Sequence, residues 1–279
     1  MSGADESAPT DRLAGLDRQE RAACLIAERV LGAEATPWDV NGRQGAVDAM
    51  FLTLPGDRTA AFEVTNLAGD GALDTVGALS SGKYKWPLTG DWFWTINVRF
   101  ARDLEKLNRC YPNIIRICEQ AGVAHPNYQL GWSPSDHPDI RWLVQESSCD
   151  MIGHPECPAA SMANPEAMVV LTASGGWIDD SMTGFAAALG AAFDGTPHIA
   201  RHFKKLKNAD ADERHLFIPL HGTALPFSIF TVLQFDDPLP PEPPPIPDYI
   251  THLWLAPDSS KRVLIWTQPD GWRNFFPYD

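Results

Sequence analysis

The chain has 279 residues and is strongly acidic, with 36 Asp and Glu residues against 22 Lys and Arg residues and a formal net charge of −14. This charge argues against a protein that coats nucleic acid nonspecifically, because such affinity comes from basic side chains that neutralise phosphates. Hydrophobic residues make up 44% of the chain and aromatic residues 10%, which excludes a largely disordered protein and predicts a globular one.

The sequence has no feature typical of a membrane or secreted protein. No stretch approaches the roughly 18 apolar residues of a membrane-spanning helix, and the N-terminal residues have no basic region followed by an apolar segment. The five cysteines are an odd number spread along a long chain, unlike a secreted disulfide scaffold. We therefore expect a cytoplasmic protein with free thiols and no membrane contact.

Hydrophobic periodicity and turn residues predict six elements over residues 17–122. Asp17 can cap the first helix and Gly32 can end it, while Pro55-Gly56-Asp57-Arg58 is typical of the turn in an antiparallel hairpin. The order helix, strand, strand, helix, strand, helix indicates an α/β core. The predicted elements are a helix over 17–31, strands over 45–54 and 59–65, a helix over 70–81, a strand over 91–100 and a helix over 101–122.

The remaining segments have a less regular pattern. Residues 1–16 are expected to be flexible, 123–165 to form a connector or insertion, and 166–279 to form a C-terminal α/β region. Pro238–Pro247 contains seven prolines in ten residues, so this segment is predicted to be extended on the surface. The further predicted elements are strands over 140–145 and 167–173, helices over 182–193 and 196–206, strands over 214–220 and 227–235, and a hairpin of 250–256 with 263–267.

Two acidic residues in the predicted hairpin are candidates for chemistry. Asp48 and Glu63 each lie in an otherwise apolar strand, and fourteen residues separate them. Mg²⁺-dependent hydrolysis of a phosphodiester needs carboxylates held on rigid backbone, because the ion prefers oxygen ligands and keeps water molecules that can attack phosphorus. Thr65 follows Glu63 by two residues and therefore points to the same side of the strand.

This arrangement resembles the restriction-endonuclease-like, or PD-(D/E)XK, nuclease superfamily, in which a helix glutamate, a strand aspartate and an E-x-K on the next strand form the site. The resemblance covers about residues 17–120 and includes the order of the elements. It implies a restriction-endonuclease-like mixed sheet flanked by helices, followed by a C-terminal α/β extension. It also implies that Glu20, Asp48 and Glu63 bind Mg²⁺ or Mn²⁺, with Thr65 at the position of the lysine.

Threonine cannot carry the charge that the family's lysine brings to the scissile phosphate. Lys83 and Lys85 follow the predicted helix over 70–81, and an ammonium from either could reach the same point. The resemblance thus implies a nuclease that cleaves DNA or RNA, with Asp48, Glu63, Thr65 and Lys85 as catalytic residues. The alternative is an inactive nuclease-like fold that binds a protein or a nucleic acid, and the negative charge fits a protein partner better.

Other interpretations of these residues stay open at the level of sequence. Asp48 and Glu63 could lie on a solvated sheet edge. A zinc site could use cysteine and histidine between residues 149 and 157, although the spacing matches no standard zinc motif. The strongest basic cluster could meet phosphates in a groove or form a solvated helix face. That cluster consists of Arg201, His202, Lys204, Lys205 and Lys207.

Overall fold

The computed structural model describes residues 11–40, 45–69, 71–81, 85–128, 137–171, 181–235 and 237–277. Over these residues the protein is mixed α/β, with mixed sheets flanked by helices. Two compact units divide the chain: unit 1 comprises residues 1–68 and 176–279, and unit 2 comprises residues 69–175.

The elements are, in chain order, α1 (Arg18–Leu31), β1 (Ala35–Pro37), β2 (Ala49–Leu54), β3 (Arg58–Val64), α2 (Ala72–Ser81), β4 (Lys85–Pro87), β5 (Trp92–Val98), α3 (Leu104–Ala121), α4 (Pro138–Gln145), β6 (Asp150–Pro158), β7 (Glu166–Leu171), α5 (Phe185–Asp194), α6 (Ile199–Asn208), β8 (Glu213–Leu220), α7 (Phe227–Phe235), β9 (His252–Pro257), β10 (Val263–Thr267) and β11 (Gly271–Phe275).

Unit 1 is built on a seven-stranded sheet in the order β1-β2-β3-β8-β9-β10-β11. The central strand β8 pairs in parallel with β3 and with β9, and the other neighbouring pairs are antiparallel. Side chains alternate between the two faces. In β3, Ala60 and Phe62 pack in the core that contains α1, whereas Ala61 packs in the core that contains α5, α6 and α7.

Helix α1 begins and ends where the sequence predicts. The Asp17 side chain accepts hydrogen bonds from the main-chain N–H groups of Gln19 and Glu20, and the Glu20 carboxylate accepts one from the N–H of Asp17 in return, which completes a capping box. Gly32 ends the helix in the left-handed region with a φ of 65°. Leu13 is buried in the same core as this helix, so the ordered chain begins before residue 17.

Unit 2 contains a four-stranded sheet in the order β4-β7-β5-β6. β5 and β7 are parallel, and the two outer pairs are antiparallel. Buried side chains of α3 and α4 share one core with those of β5 and β7. The predicted helix over 101–122 is confirmed as α3, and the predicted strands over 91–100 and 167–173 are confirmed as β5 and β7. Residues 172–180 lie outside the described part of the chain.

Two of the predicted strands are wrong, because both segments are helices. The apolar run within 140–145 belongs to α4, which Pro138 starts at a position where a missing N–H costs nothing. Residues 227–235, rich in aromatic and β-branched side chains, form α7 and bury Ile229, Val232 and Leu233 at a helical spacing. Short apolar runs do not distinguish a buried strand from a buried helix.

The division of the chain also differs from the predicted boundaries. The predicted connector over 123–165 contains α4 and β6, and β6 pairs along its length with β5. Residues 17–122 are divided between the two units. The β2–β3 hairpin belongs to unit 1, where β3 pairs with β8 of the C-terminal half. The additional strands β1, β4, β6 and β11 were not predicted.

The proline-rich segment over 238–247 forms neither helix nor strand and is largely exposed, as predicted. The predicted hairpin of β9 and β10 is confirmed. All five cysteines are free. Among the described residues, no helix combines the length and the apolar character needed to cross a membrane.

Candidate functional site

Asp48 and Glu63 face each other at the open end of the β2–β3 hairpin, away from its turn. The register pairs Ala49 with Phe62, and one further residue brings Asp48 opposite Glu63. The N–H of Val64 donates to Oδ2 of Asp48 at 2.7 Å, and the N–H of Asp48 donates to Oε2 of Glu63 at 3.2 Å. Asp48 is 5% exposed and Glu63 is 0% exposed, so a solvated sheet edge is the wrong interpretation.

A lysine from α6 contacts both carboxylates. The Nζ atom of Lys205 lies 2.9 Å from Oε1 of Glu63 and 3.4 Å from Oδ1 of Asp48. The same atom lies 3.6 Å from Oδ2 of Asp39. Like charges that face each other on paired strands repel, and the repulsion is strong for buried groups. The ammonium therefore makes the carboxylate pair compatible with burial.

The same face of α6 carries two histidines. Nδ1 of His202 lies 2.6 Å from Oε1 of Glu63. One turn earlier, Nε2 of His198 lies 3.1 Å from the main-chain oxygen of Asn66, and the Asn66 side chain exchanges two hydrogen bonds with Gln19 of α1. These contacts tie α1 and α6 to the segment that follows β3. We name Asp48, Glu63, His202 and Lys205 together the carboxylate–lysine cluster.

The electrostatics of the carboxylate–lysine cluster favour the binding of positive charge. Burial, followed by the charge of Glu63, raises the pKa of Asp48 to about 7. Burial opposes the charged form of Lys205, but hydrogen bonds and charges from Glu63 and Asp48 outweigh it and raise the pKa of Lys205. At neutral pH the lysine is charged and Asp48 is partly protonated. A divalent cation at these oxygens would displace that proton.

The predicted third metal ligand has a local structural role. Glu20 closes the capping box at the start of α1 through a 2.8 Å hydrogen bond from the N–H of Asp17. Burial is the main cause of its raised pKa, with smaller contributions from Asp17 and Glu63. In the described part of the chain, Glu20 does not form a three-residue group with Asp48 and Glu63 whose ligand atoms lie close enough to hold one ion.

The other predicted catalytic residues are Thr65 and Lys85. Thr65 is 5% exposed, and its N–H donates to the main-chain oxygen of Phe217 at 3.0 Å, which extends the pairing of β3 with β8. Lys85 belongs to β4 of unit 2, where its ammonium lies 3.4 Å from Oε2 of Glu166. Lys83 lies outside the described residues.

Sequence reasoning identified Lys205 and His202 as part of a basic cluster but did not connect them with the hairpin. The available signal was the amphipathic spacing of α6: its inward face contains His198, His202 and Lys205, whereas Arg201 and Lys204 are exposed. The same spacing is typical of an ordinary surface helix. Only the docking of α6 against β3 distinguishes the two.

The described residues contain one group of three potential metal ligands that converge. Glu213, His215 and His252 offer ligand atoms that all lie within 4.8 Å of one another. They project from β8 and the start of β9 toward the core that contains α1, on the sheet face opposite Asp48 and Glu63. The zinc site considered between residues 149 and 157 is not among the convergent groups of the described chain.

Comparisons with known proteins give no relative from which a function could be transferred. No protein-family model matches the chain. Neither a curated protein nor a solved structure has a significant match to it.

Proposed function

We propose that unit 1 is a Mg²⁺- or Mn²⁺-dependent nuclease of the restriction-endonuclease-like type, acting on DNA or RNA, with Asp48 and Glu63 as metal ligands and Lys205 in place of the family's strand lysine. The observation that carries this proposal is the position of the Lys205 ammonium, 2.9 Å from Glu63 and 3.4 Å from Asp48. A lysine from a neighbouring helix thereby supplies the charge that Thr65 lacks.

The donor chemistry fits the proposed ion. Asp48 and Glu63 offer carboxylate oxygens, and Mg²⁺ is commonly held by one or two carboxylates together with waters and substrate phosphate. When bound, the ion would supply a polarised water and neutralise charge on the scissile phosphate. The hydrogen bond from Val64 to Asp48 and the contact of His202 with Glu63 hold the two carboxylates in place, and on binding the ion would displace the Lys205 ammonium from these oxygens toward the substrate phosphate.

The proposed role of Lys205 follows from charge and reach. Its side chain is 15% exposed, with the ammonium beside both carboxylates, where the low local dielectric strengthens its attraction for an anionic phosphate. In cleavage it would orient the attacking water and stabilise the charge that develops on the phosphoryl oxygens. On the outer side of the same helix, Arg201, Lys204 and Lys207 are exposed and could meet neighbouring phosphates, despite the net charge of −14.

A second candidate function has an observation in its favour. Lys205 already neutralises the buried carboxylates through direct ion pairs, so the carboxylate–lysine cluster is stable without a metal. An inactive nuclease-like fold that binds a protein or a nucleic acid would retain such a cluster as a structural salt bridge. The two functions differ in metal binding, because only the nuclease needs a cation at Asp48 and Glu63.

The test is a calorimetric titration with Mn²⁺ of the full chain, of Asp48→Asn with Glu63→Gln, and of Lys261→Met as a surface control. The nuclease proposal expects Mn²⁺ binding in the wild type and the control, with loss in the double variant. Cleavage of single- and double-stranded DNA and RNA should show the same dependence. Absence of Mn²⁺ binding in a folded wild type would reject the nuclease and favour the binding module.

A further inference from the structure

The second polar cluster of unit 1 does not belong to the carboxylate–lysine cluster. Strands β8 and β9 are parallel, and their register places His215 directly beside His252. Glu213 lies two residues before His215 on the same side of β8. His215 is fully buried, Glu213 is 8% exposed, and the side chain of His252 is 16% exposed. We name these three residues the His–Glu triad.

The distances within the His–Glu triad suit a small metal ion. Oε2 of Glu213 lies 2.9 Å from Nε2 of His215 and 3.9 Å from Nε2 of His252. These two distances bracket the separation of about 3.3 Å between ligand atoms that tetrahedral geometry gives for bonds of about 2.0–2.1 Å, the usual Zn–N and Zn–O lengths. One carboxylate oxygen thus lies within reach of two ring nitrogens.

Within the His–Glu triad, Nε2 of His215 and Oε2 of Glu213 form a hydrogen bond at 2.9 Å, whose proton a bound metal ion would displace; the outer atoms have partners of their own. Nη1 of Arg58 holds Oε1 of Glu213 at 2.5 Å, which turns the other carboxylate oxygen toward the histidines. The Thr251 hydroxyl donates to the main-chain oxygen of Arg214 at 3.2 Å and lies 2.8 Å from Nδ1 of His252. With the hydroxyl proton donated to Arg214, Nδ1–H of His252 donates a hydrogen bond to the hydroxyl oxygen, and the lone pair at Nε2 then faces Glu213. Such partners orient ligands in metal sites.

A lone pair that faces a carboxylate across 3.9 Å is unfavourable unless a cation or a proton lies between them. Histidine binds metals through a ring nitrogen that carries no proton, and both rings present Nε2 toward Oε2 of Glu213. Nδ1 of His215 has no hydrogen-bond partner among the described residues, so Glu213 is the partner that orients this ring.

An open cavity of about 480 Å³ reaches the His–Glu triad. Glu213 and His252 form part of its wall, together with Asp212 and Asp270. A volume of this size falls within the range of about 300–1,000 Å³ that is typical of small-molecule sites. Arg58 and Arg273 also line the cavity and offset the charge of these two carboxylates. An ion held by three protein ligands would keep coordination positions for water or substrate on the cavity side.

We propose that Glu213, His215 and His252 form a binding site for a late first-row transition-metal ion, with Zn²⁺ as the favoured ion and Mn²⁺, the weakest binder of the series, disfavoured, and that the adjoining cavity gives exogenous ligands access to it. Two imidazoles and one carboxylate select such ions over Mg²⁺, which prefers oxygen ligands alone. The His–Glu triad is thus a site of different chemistry from Asp48 and Glu63, and it does not depend on the proposed nuclease activity.

The test titrates the full chain with Zn²⁺ by calorimetry and with Co²⁺ by visible absorption, which reports the coordination of the ion directly. His252→Asn and Glu213→Gln remove ligands, His154→Asn in unit 2 is the matched control, and Asp48→Asn tests independence from the other site. Circular dichroism verifies that each variant is folded.

We expect one Zn²⁺ per chain in the wild type, in the control and in Asp48→Asn. The two ligand variants should weaken binding by at least about 100-fold, since loss of an outer partner alone costs about 10- to 100-fold. A Co²⁺ spectrum that is unchanged in folded His252→Asn, or a folded wild type that binds no Zn²⁺, would overturn the proposal. A folded wild type that binds Zn²⁺ but not Mn²⁺ would contradict only the proposed nuclease function.

Discussion

The two faces of the unit 1 sheet bury polar groups in different ways. On the face toward α6, Asp48 and Glu63 are both carboxylates, and Lys205 compensates their charge from within the protein. On the face toward α1, Glu213 is the one carboxylate of the His–Glu triad. The exposed Arg58 forms an ion pair with it, and its other neighbours are the imidazoles of His215 and His252. One cluster is thus closed by an internal cation, whereas the other is open to a cavity.

One sheet can hold two sites of different chemistry because its two faces have different surroundings. Successive residues of a strand point to opposite faces, so Phe62 and Glu63 are adjacent in sequence but belong to different surroundings. The face toward α6 brings two carboxylates to one lysine and one histidine, whereas the face toward α1 brings one carboxylate to two histidines. If the two sites are independent, a change on one face of the sheet should leave metal binding on the other face unchanged.

Removal of the internal cation should have the largest effect. In Lys205→Met two buried carboxylates lose their partner, and we expect the free energy of unfolding at pH 8 to fall by about 3 kcal/mol. If the nuclease proposal is correct, cleavage should fall by about 100-fold or more. Urea denaturation and a cleavage assay measure the two effects, with the exposed Lys261→Met as control. A stability equal to that of the control would mean that Lys205 does not neutralise the pair.

Removal of the outer charge should affect the other face alone. In Arg58→Gln the Glu213 carboxylate loses its 2.5 Å contact, and we expect Zn²⁺ affinity to fall by about 10- to 100-fold. Mn²⁺ affinity at Asp48 should stay unchanged. Calorimetric titrations with both ions measure these values, and Arg273→Gln, which lines the same cavity, should change Zn²⁺ affinity less. Equal losses of both ions would show that the two faces are coupled.

The stability of the metal-free protein should depend on pH through Asp48. Its folded pKa of about 7 exceeds the 3.8 of an unperturbed Asp, so the folded state holds the extra proton between these values. Its contribution to stability is therefore present at low pH and is lost as the pH rises toward 7, with a slope of up to about 1.4 kcal/mol per pH unit. Denaturation in EDTA should show this slope in the wild type relative to Asp48→Asn. Parallel curves would contradict the raised pKa.

The smallest expected effect concerns the N-terminus of helix α1. In Asp17→Ala, α1 loses its cap, and we expect a loss of stability of about 1 kcal/mol. Thermal unfolding measures this change, and Asp17→Asn, which retains a capping side chain, should lose less. Affinities for Mn²⁺ and Zn²⁺ should be unchanged. A large loss of Mn²⁺ affinity would mean that Glu20, which shares the capping box, does take part in metal binding.

Sequence reasoning succeeded where the signal lay within a few residues. The Asp17 cap, the Gly32 stop and the hairpin turn depend on local chemistry, and the structure contains all three. It failed at 140–145 and 227–235, because short apolar runs suit a buried helix as well as a strand. The His–Glu triad was not predicted, since the residues adjoining its histidines give no motif that marks a metal site.

Local sequence patterns predict most of the elements and place a pair of acidic residues in an apolar hairpin. The residues that surround this pair follow from the fold, because parallel pairing and helix docking join segments that are distant along the chain. Lys205 follows Asp48 by 157 residues, and His215 meets His252 only through the register of β8 with β9. Periodicity and turn chemistry act over a few residues, whereas the burial of apolar faces chooses the partners of a strand or helix.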